Sequence, residues 1–110
     1  MIRLDGYYVS DPVYFEDGVA NYTYSGFSHN AYLFMKEGHF LRSTKNDNKK
    51  GVKFSKSDFN PDFPNKYELK GDKLIMTFET GTEWEFNEVF EIVSPEELKG
   101  KERTLRFESW

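Results

Sequence analysis

A chain of 110 residues is the size of one domain, large enough to build one core without staples, and it has no cysteine, which excludes disulfides and thiolate metal sites. No apolar run approaches the ~20 residues that cross a bilayer as a helix. Charged residues at 31%, aromatic residues at 18% and a net charge of −4 exclude a disordered chain; 11 Phe, 7 Tyr and 2 Trp favour strands, because aromatic rings suit pleated, half-buried surfaces.

The dominant period along the chain is two, the period of strands. Residues 3–9 read as a first strand, broken by Asp11-Pro12, and Glu16-Asp17-Gly18 reads as a turn. Residues 19–24 place Ala20, Tyr22 and Tyr24 on one face, and Ser25-Gly26 is expected to end that strand. Residues 30–36 turn at Glu37-Gly38 and return through 39–44, which predicts a hairpin. Residues 45–50 read as a polar loop and 51–56 as a short strand with Val52 and Phe54 inward. The prolines of 57–65 exclude a regular strand there. Phe59 and Phe63 are spaced for one helical turn, capped by Ser57 or Asp58, over one end of the core.

The last third is more explicit. Residues 66–70 and 73–79 flank Gly71-Asp72, a hairpin signal, with Leu74, Met76 and Phe78 on one face. Thr80-Gly81 is a turn. In 83–93, Trp84, Phe86, Phe90 and Ile92 alternate with polar residues, as one long strand or two strands broken near Asn87. Ser94-Pro95-Glu96-Glu97 has the pattern of a helical N-terminus, stopped by Gly100. Residues 101–109 form the last strand, with Leu105 and Phe107 inward. Eight or nine short strands with turn signals about every ten residues predict a sandwich or barrel in a single β domain, 1–110.

Catalytic chemistry finds little footing. His29 and His39 are the only histidines, and they read as polar residues beside turns rather than as metal ligands. The carboxylate pairs Glu83/Glu85, Glu96/Glu97 and Asp58/Asp62 carry no cleft signature, and Glu83/Glu85 alternate outward from Trp84 and Phe86. No Gly-x-Ser-x-Gly elbow and no phosphate-binding glycine loop is present. Residues 36–57 hold seven basic side chains against Glu37 and Asp47. The basic segment 42–56, with Phe54 as a stacking ring, suggests a nucleic-acid surface as a third reading, against which the net charge weighs. No leader-like segment precedes the first strand. The compartment is thus cytoplasmic if Met1 is native, and exported or lipoprotein-anchored if a leader has been removed.

The order of these features resembles the lipocalin-like (calycin) barrels, above all small bacterial lipocalin-like domains. Gly6-Tyr7-Tyr8 is similar to the Gly-x-Trp at the start of lipocalins. The hairpin turns at Glu37-Gly38 and Gly71-Asp72 follow, then Phe90-Glu91-Ile92-Val93-Ser94-Pro95-Glu96-Glu97-Leu98 leads into a charged closing strand with Arg103 and Arg106. The resemblance implies an antiparallel meander barrel or half-open barrel of about eight short strands, with Tyr8 closing one end beneath Arg103 or Arg106 by a cation–π contact. It also implies a non-enzymatic binding domain for a small apolar or amphipathic ligand, without a cofactor. The aromatic residues Tyr22, Tyr24, Tyr32, Phe34, Met76, Phe78, Trp84 and Phe86 are the expected ligand contacts. The alternative is a protein-interaction or structural module with a filled core, using Tyr14-Phe15 and Trp110.

Overall fold

The computed structural model describes residues 1–19, 22–59 and 64–110, with the side chains of 17, 19 and 22–24 left aside. The described chain is all-β. Nine strands form one antiparallel sheet: β1 (Gly6–Ser10), β2 (Val13–Val19), β3 (Tyr22–Phe34), β4 (Phe40–Asp47), β5 (Lys66–Lys70), β6 (Lys73–Phe78), β7 (Phe86–Ser94), β8 (Glu97–Gly100) and β9 (Thr104–Ser109). The only helical element among the described residues is a 3-10 turn at Lys56–Asp58.

β3 organises the sheet. One of its edges carries β4, in register from Phe27↔Asp47 to Phe34↔Phe40. Its other edge is shared end to end by β2 (Val13↔Ser28 to Val19↔Tyr22) and β1 (Tyr8↔Tyr32). From β1 the sheet continues through β9, β8, β7 and β6 to β5, each strand antiparallel to the next. The outer strands β4 and β5 approach each other at one end only. There His39 bridges Lys66, the Phe40 N–H donates to the Asn65 carbonyl at 3.1 Å, and the Tyr67 N–H donates to the Gly38 carbonyl at 2.9 Å.

The period of two sorts the side chains onto two faces. The inner face buries Tyr8, Tyr32, Phe34, Phe40, Leu74, Met76, Phe78, Phe90, Leu98 and Leu105 in one cluster. A second cluster lies on the other side of β1 and β3, where Phe54 and Phe59 cover Tyr7, Ala31 and Leu33. Residues 51–55 are therefore a cover strip and not the expected strand: the Phe54 N–H donates to the Tyr7 hydroxyl at 3.1 Å rather than to a neighbouring strand. Phe59 belongs to this outer cover and not to an end of the inner core; Phe63 lies outside the described residues. The 3-10 turn is capped by Ser55, not Ser57 or Asp58, because the Asp58 carboxylate accepts from the Ser55 N–H at 2.7 Å.

Three further expectations are corrected by strand pairing. Glu16-Asp17-Gly18 does not turn the chain but lies inside β2, opposite Ser25, Tyr24 and Thr23. Ser25-Gly26 does not end β3; a Cβ at Gly26 would sit 2.6 Å from the Asp47 carbonyl oxygen, so this glycine serves close approach to β4. β4 accordingly runs to Asp47, into the segment expected to be a loop. Ser94-Pro95-Glu96-Glu97 is a tight hairpin and not a helical start: Ser94 pairs with Glu97, and the Glu96 carbonyl accepts from the Phe107 N–H of β9 at 2.9 Å. The predicted hairpins at Glu37-Gly38 and Gly71-Asp72 form as expected, with both glycines at positive φ. Leu74, Met76 and Phe78 share the buried face, and Leu105 with Phe107 points inward on β9.

Candidate functional site

The inner face is closed over at one end and opens into a cleft at the other. The closed end is built by rings meeting edge to face: Tyr8 on Phe34 at 5.5 Å and on Phe107 at 5.3 Å, and Phe34 on Tyr67 at 5.0 Å. The Tyr8 hydroxyl accepts from the Arg3 N–H at 2.8 Å and donates to the Pro95 carbonyl at 2.5 Å. Burial pushes its pKa above the ordinary tyrosine value. Gly6, in the Gly-x-Tyr step, faces the Glu108 carbonyl oxygen so closely that a Cβ would come within 2.2 Å of it. The first and last strands meet there only because the position has no side chain.

The open end is a cleft of about 600 Å³ lined by Tyr32, Arg42, Phe78, Phe86, Glu88 and Arg103, with Asn87, Val89, Lys101 and Glu102 at its margin. Its volume lies in the range of small-molecule sites. A second, more polar cleft of about 570 Å³ adjoins it across Tyr32 and Arg42 and is lined by Asn30, Thr44, Lys45 and Asp58. The strand register explains the change in character. Along the inner face of the β3–β4 hairpin the cross-strand pairs run Phe34↔Phe40, Tyr32↔Arg42, Asn30↔Thr44. Hydrophobic packing thus stops one pair beyond the turn, and the Thr44 hydroxyl donates to the Asn30 side chain at 2.8 Å.

A charged network sits at the boundary. Arg103 donates to both oxygens of Glu88, at 2.8 and 2.6 Å, and to the Tyr32 hydroxyl at 2.7 Å. Its guanidinium also lies 5.0 Å from the Tyr32 ring centroid and 5.7 Å from that of Phe90. Burial alone would lower the Arg103 pKa, but the Glu88 carboxylate and the Tyr32 oxygen reverse this and raise it. Burial pushes Tyr32 up, with Arg103 opposing. Arg42 reaches Glu79 at a longer 3.5 Å and lies 5.9 Å from the Phe78 ring centroid.

The expected ligand residues divide. Tyr32, Phe78 and Phe86 come together at the cleft. Phe34 and Met76 are packed into the core. Trp84 is 70% exposed on the turn before β7, which begins only at Phe86. Tyr22 and Tyr24 lie on β3 with side chains outside the described residues. Of the closing residues, Arg103 stacks on Tyr32 rather than Tyr8, Arg106 pairs outside with Asp11 at 3.5 Å and Glu97 at 3.1 Å, and it is Arg3 that lies over Phe107 beside Tyr8, at 4.2 Å.

Arg42 and Glu88 were not among the expected contacts, yet the pattern marks them. Arg42 is in phase with buried Phe40, and Glu88 with Phe86 and Phe90. A charged residue in phase with the apolar face of a strand points inward, where it needs a partner.

The histidines do not meet. His29 is 1% exposed under the outer cover, its Nε2 3.1 Å from the Lys49 carbonyl oxygen, rather than on the surface. It lies five positions down β3 from the Phe34↔Phe40 pair beside His39, roughly 17 Å along the strand. Among the described residues no cluster of three or more His, Asp or Glu side chains is arranged to hold a metal, and no helix is long and apolar enough to cross a membrane. Several lysines of the basic segment are engaged within the chain: Lys45 with Asp58 at 2.8 Å, Lys53 with Glu108 at 3.6 Å, and Lys50 over Phe27 at 5.5 Å. Comparison with protein-family models, with curated proteins and with solved structures finds no match for this chain.

Proposed function

We propose that this chain is a half-open, lipocalin-like barrel acting as a non-enzymatic binding domain, with a small amphipathic molecule held at the open end. Eight lateral strand positions, a first strand pairing with the last and a single bridge between β4 and β5 support the barrel reading. The observation that carries the function is the cleft itself, where bare aromatic surface on Phe86 meets the Tyr32–Arg103–Glu88 network. Apolar walls with a few fixed polar groups are what a small-molecule site requires. Binding is favoured over catalysis because Arg103 and Glu88 hold each other in a two-pronged pair.

Amide chemical-shift mapping tests this reading with fatty acids, retinoids and haem as the first probes. Saturable shifts at Tyr32, Phe86, Asn87 and Arg103 are expected from at least one. Shifts confined to other surfaces would sink it. A protein-interaction module is the second reading, favoured by one observation: residues 22–26 of β3 pair only with β2, so this part of the hairpin is a two-stranded ribbon, with Val13 and Tyr14 more than half exposed.

A further inference from the structure

Resting on the ligand reading above, we propose that the cleft takes a flat aromatic ring bearing one anionic group, the ring lying on the outer face of Phe86 and the anion meeting Arg42. Phe78 and Phe86 stack in parallel, their ring centroids 4.6 Å apart and their planes within 5°. The other rings around Phe78 meet it edge-on, Tyr32 at 79° and Phe40 at 76°. Phe78 is 2% exposed and Phe86 is 51% exposed, so the stack has one sealed layer and one bare layer. A flat ligand ring completes it as a third layer, with the offset-stacked geometry that aromatic pairs favour.

The floor of the cleft argues against a long flexible chain. Below Phe78 the inner face is occupied by Phe40, Leu74 and Met76, each buried. An alkyl tail needs a tunnel through those side chains, whereas a ring needs only the slot beside Phe86. The anionic group follows from the two arginines. Arg103 is committed to Glu88 at 2.6 and 2.8 Å, but the Arg42–Glu79 contact is longer, at 3.5 Å, and Arg42 keeps more than a third of its side chain in solvent. Arg42 lines the cleft, and the five N–H donors of a guanidinium let it offer two parallel bonds to an incoming carboxylate beside the contacts it already makes.

Three probes separate ring from charge: 2-naphthoate, 2-naphthalenemethanol (the same ring, neutral) and decanoate (the same head group on a flexible chain). Each is titrated into the full chain, following the amides of Tyr32, Phe86, Asn87 and Arg103. We expect 2-naphthoate to bind tightest. Phe86→Ala should weaken it at least about tenfold, the loss expected from removing one stacked face and its buried area. Phe86→Leu, which keeps apolar bulk and guards the fold, should weaken it too. Arg42→Gln should remove its advantage over 2-naphthalenemethanol. Decanoate binding as tightly as 2-naphthoate, or a 2-naphthoate affinity unchanged in Phe86→Ala, overturns the ring proposal while leaving a small-ligand site standing. An Arg42→Gln variant that keeps the full preference for 2-naphthoate overturns the assignment of the anion. If none of the three probes shifts these amides, the ring proposal falls; if the fatty acids, retinoids and haem also fail, the small-ligand reading falls with it.

Discussion

The inner face of the sheet carries aromatic rings from one end to the other, yet the two ends behave differently. Tyr8, Phe34 and Phe40 are covered, with Tyr67 and Phe107 packed against them partly buried, and Leu74, Phe90, Leu98 and Leu105 fill the space between. Around Phe86 the same alternation leaves a ring half bare beside two arginines and a carboxylate. The difference lies in the residues that share the face with the rings. At the closed end they are aliphatic and interdigitate; at the open end Arg42, Glu88 and Arg103 hold hydrogen-bond geometry and cannot collapse onto the rings. Aromatic content alone therefore does not mark a pocket; aromatic rings in phase with charges do.

The largest expected effect lies at the closed end. Phe90 is wholly buried, between Leu74 across the β6 pairing and Gly100 across the β8 pairing. Phe90→Ala should cost about 3–5 kcal/mol in denaturant unfolding, since the cavity cannot be filled by neighbours fixed in strands. A loss below about 1 kcal/mol would mean that the closed end is not packed as described. At the open end the corresponding test is Glu88→Gln, which leaves Arg103 half-served. About 2 kcal/mol is expected for loss of one charge-assisted bond and of the charge behind the other, at a site only a quarter exposed. A loss as large as that of Phe90→Ala would erase the contrast between the ends.

Alkaline pH should loosen both ends at once. Burial raises the pKa of Tyr8 at the closed end and Tyr32 at the open end, and that of Tyr67 on β5. A raised native pKa means that above about pH 10 the folded chain holds protons that the unfolded chain has released. The contribution of these tyrosines is therefore constant below that range and falls as pH rises through it. The melting temperature should drop between pH 9 and 11, and less steeply in Tyr32→Phe. An equal slope in that variant would remove Tyr32 from the account.

A smaller effect of opposite sign is expected at Ser10, whose buried hydroxyl has no hydrogen-bond partner among the described residues. Ser10→Ala removes an unsatisfied polar atom and should stabilise the chain by about 1 kcal/mol. Destabilisation would show that a water molecule or another group serves that oxygen.

How much of this was legible in the sequence depended on whether a local signal met a competing one. Gly71-Asp72 and Glu37-Gly38 were legible because the glycine supplies the positive φ of a tight turn between two alternating runs. The Asp17-Gly18 pair carries the same signal and failed, because seven consecutive β2–β3 pairs run through it. Ser94-Pro95-Glu96-Glu97 failed likewise: helix-start chemistry was overridden by pairing with β9. At the site, alternation found Tyr32, Phe78 and Phe86, since it reads the face of a strand. It could not tell which part of that face is covered, because coverage depends on β4 and β6 coming together through non-local register. Phe34 and Met76 carry the same local pattern as Phe86, yet they are buried and Phe86 is half exposed.

Trp84 gives the smallest expected effect and the sharpest limit on reading by period. It alternates in phase with Phe86 and Phe90, which placed it on the ligand wall, but β7 starts at Phe86 and Trp84 belongs to the preceding turn. That turn is held by its own bonds. The Thr82 hydroxyl donates to the Glu79 carbonyl at 2.7 Å and accepts from the Trp84 N–H at 3.2 Å, and the Glu85 carboxylate accepts from the Gly81 N–H at 2.8 Å. None of these uses the indole. Trp84→Ala should therefore change stability by less than about 0.5 kcal/mol, the usual range for an exposed position, and should leave the affinity for 2-naphthoate within about twofold while Phe86→Ala, two residues away, weakens it at least about tenfold. If Trp84→Ala weakens binding as much as Phe86→Ala does, the cleft extends onto the turn, and the boundary between strand and site lies at residue 84 instead of 86.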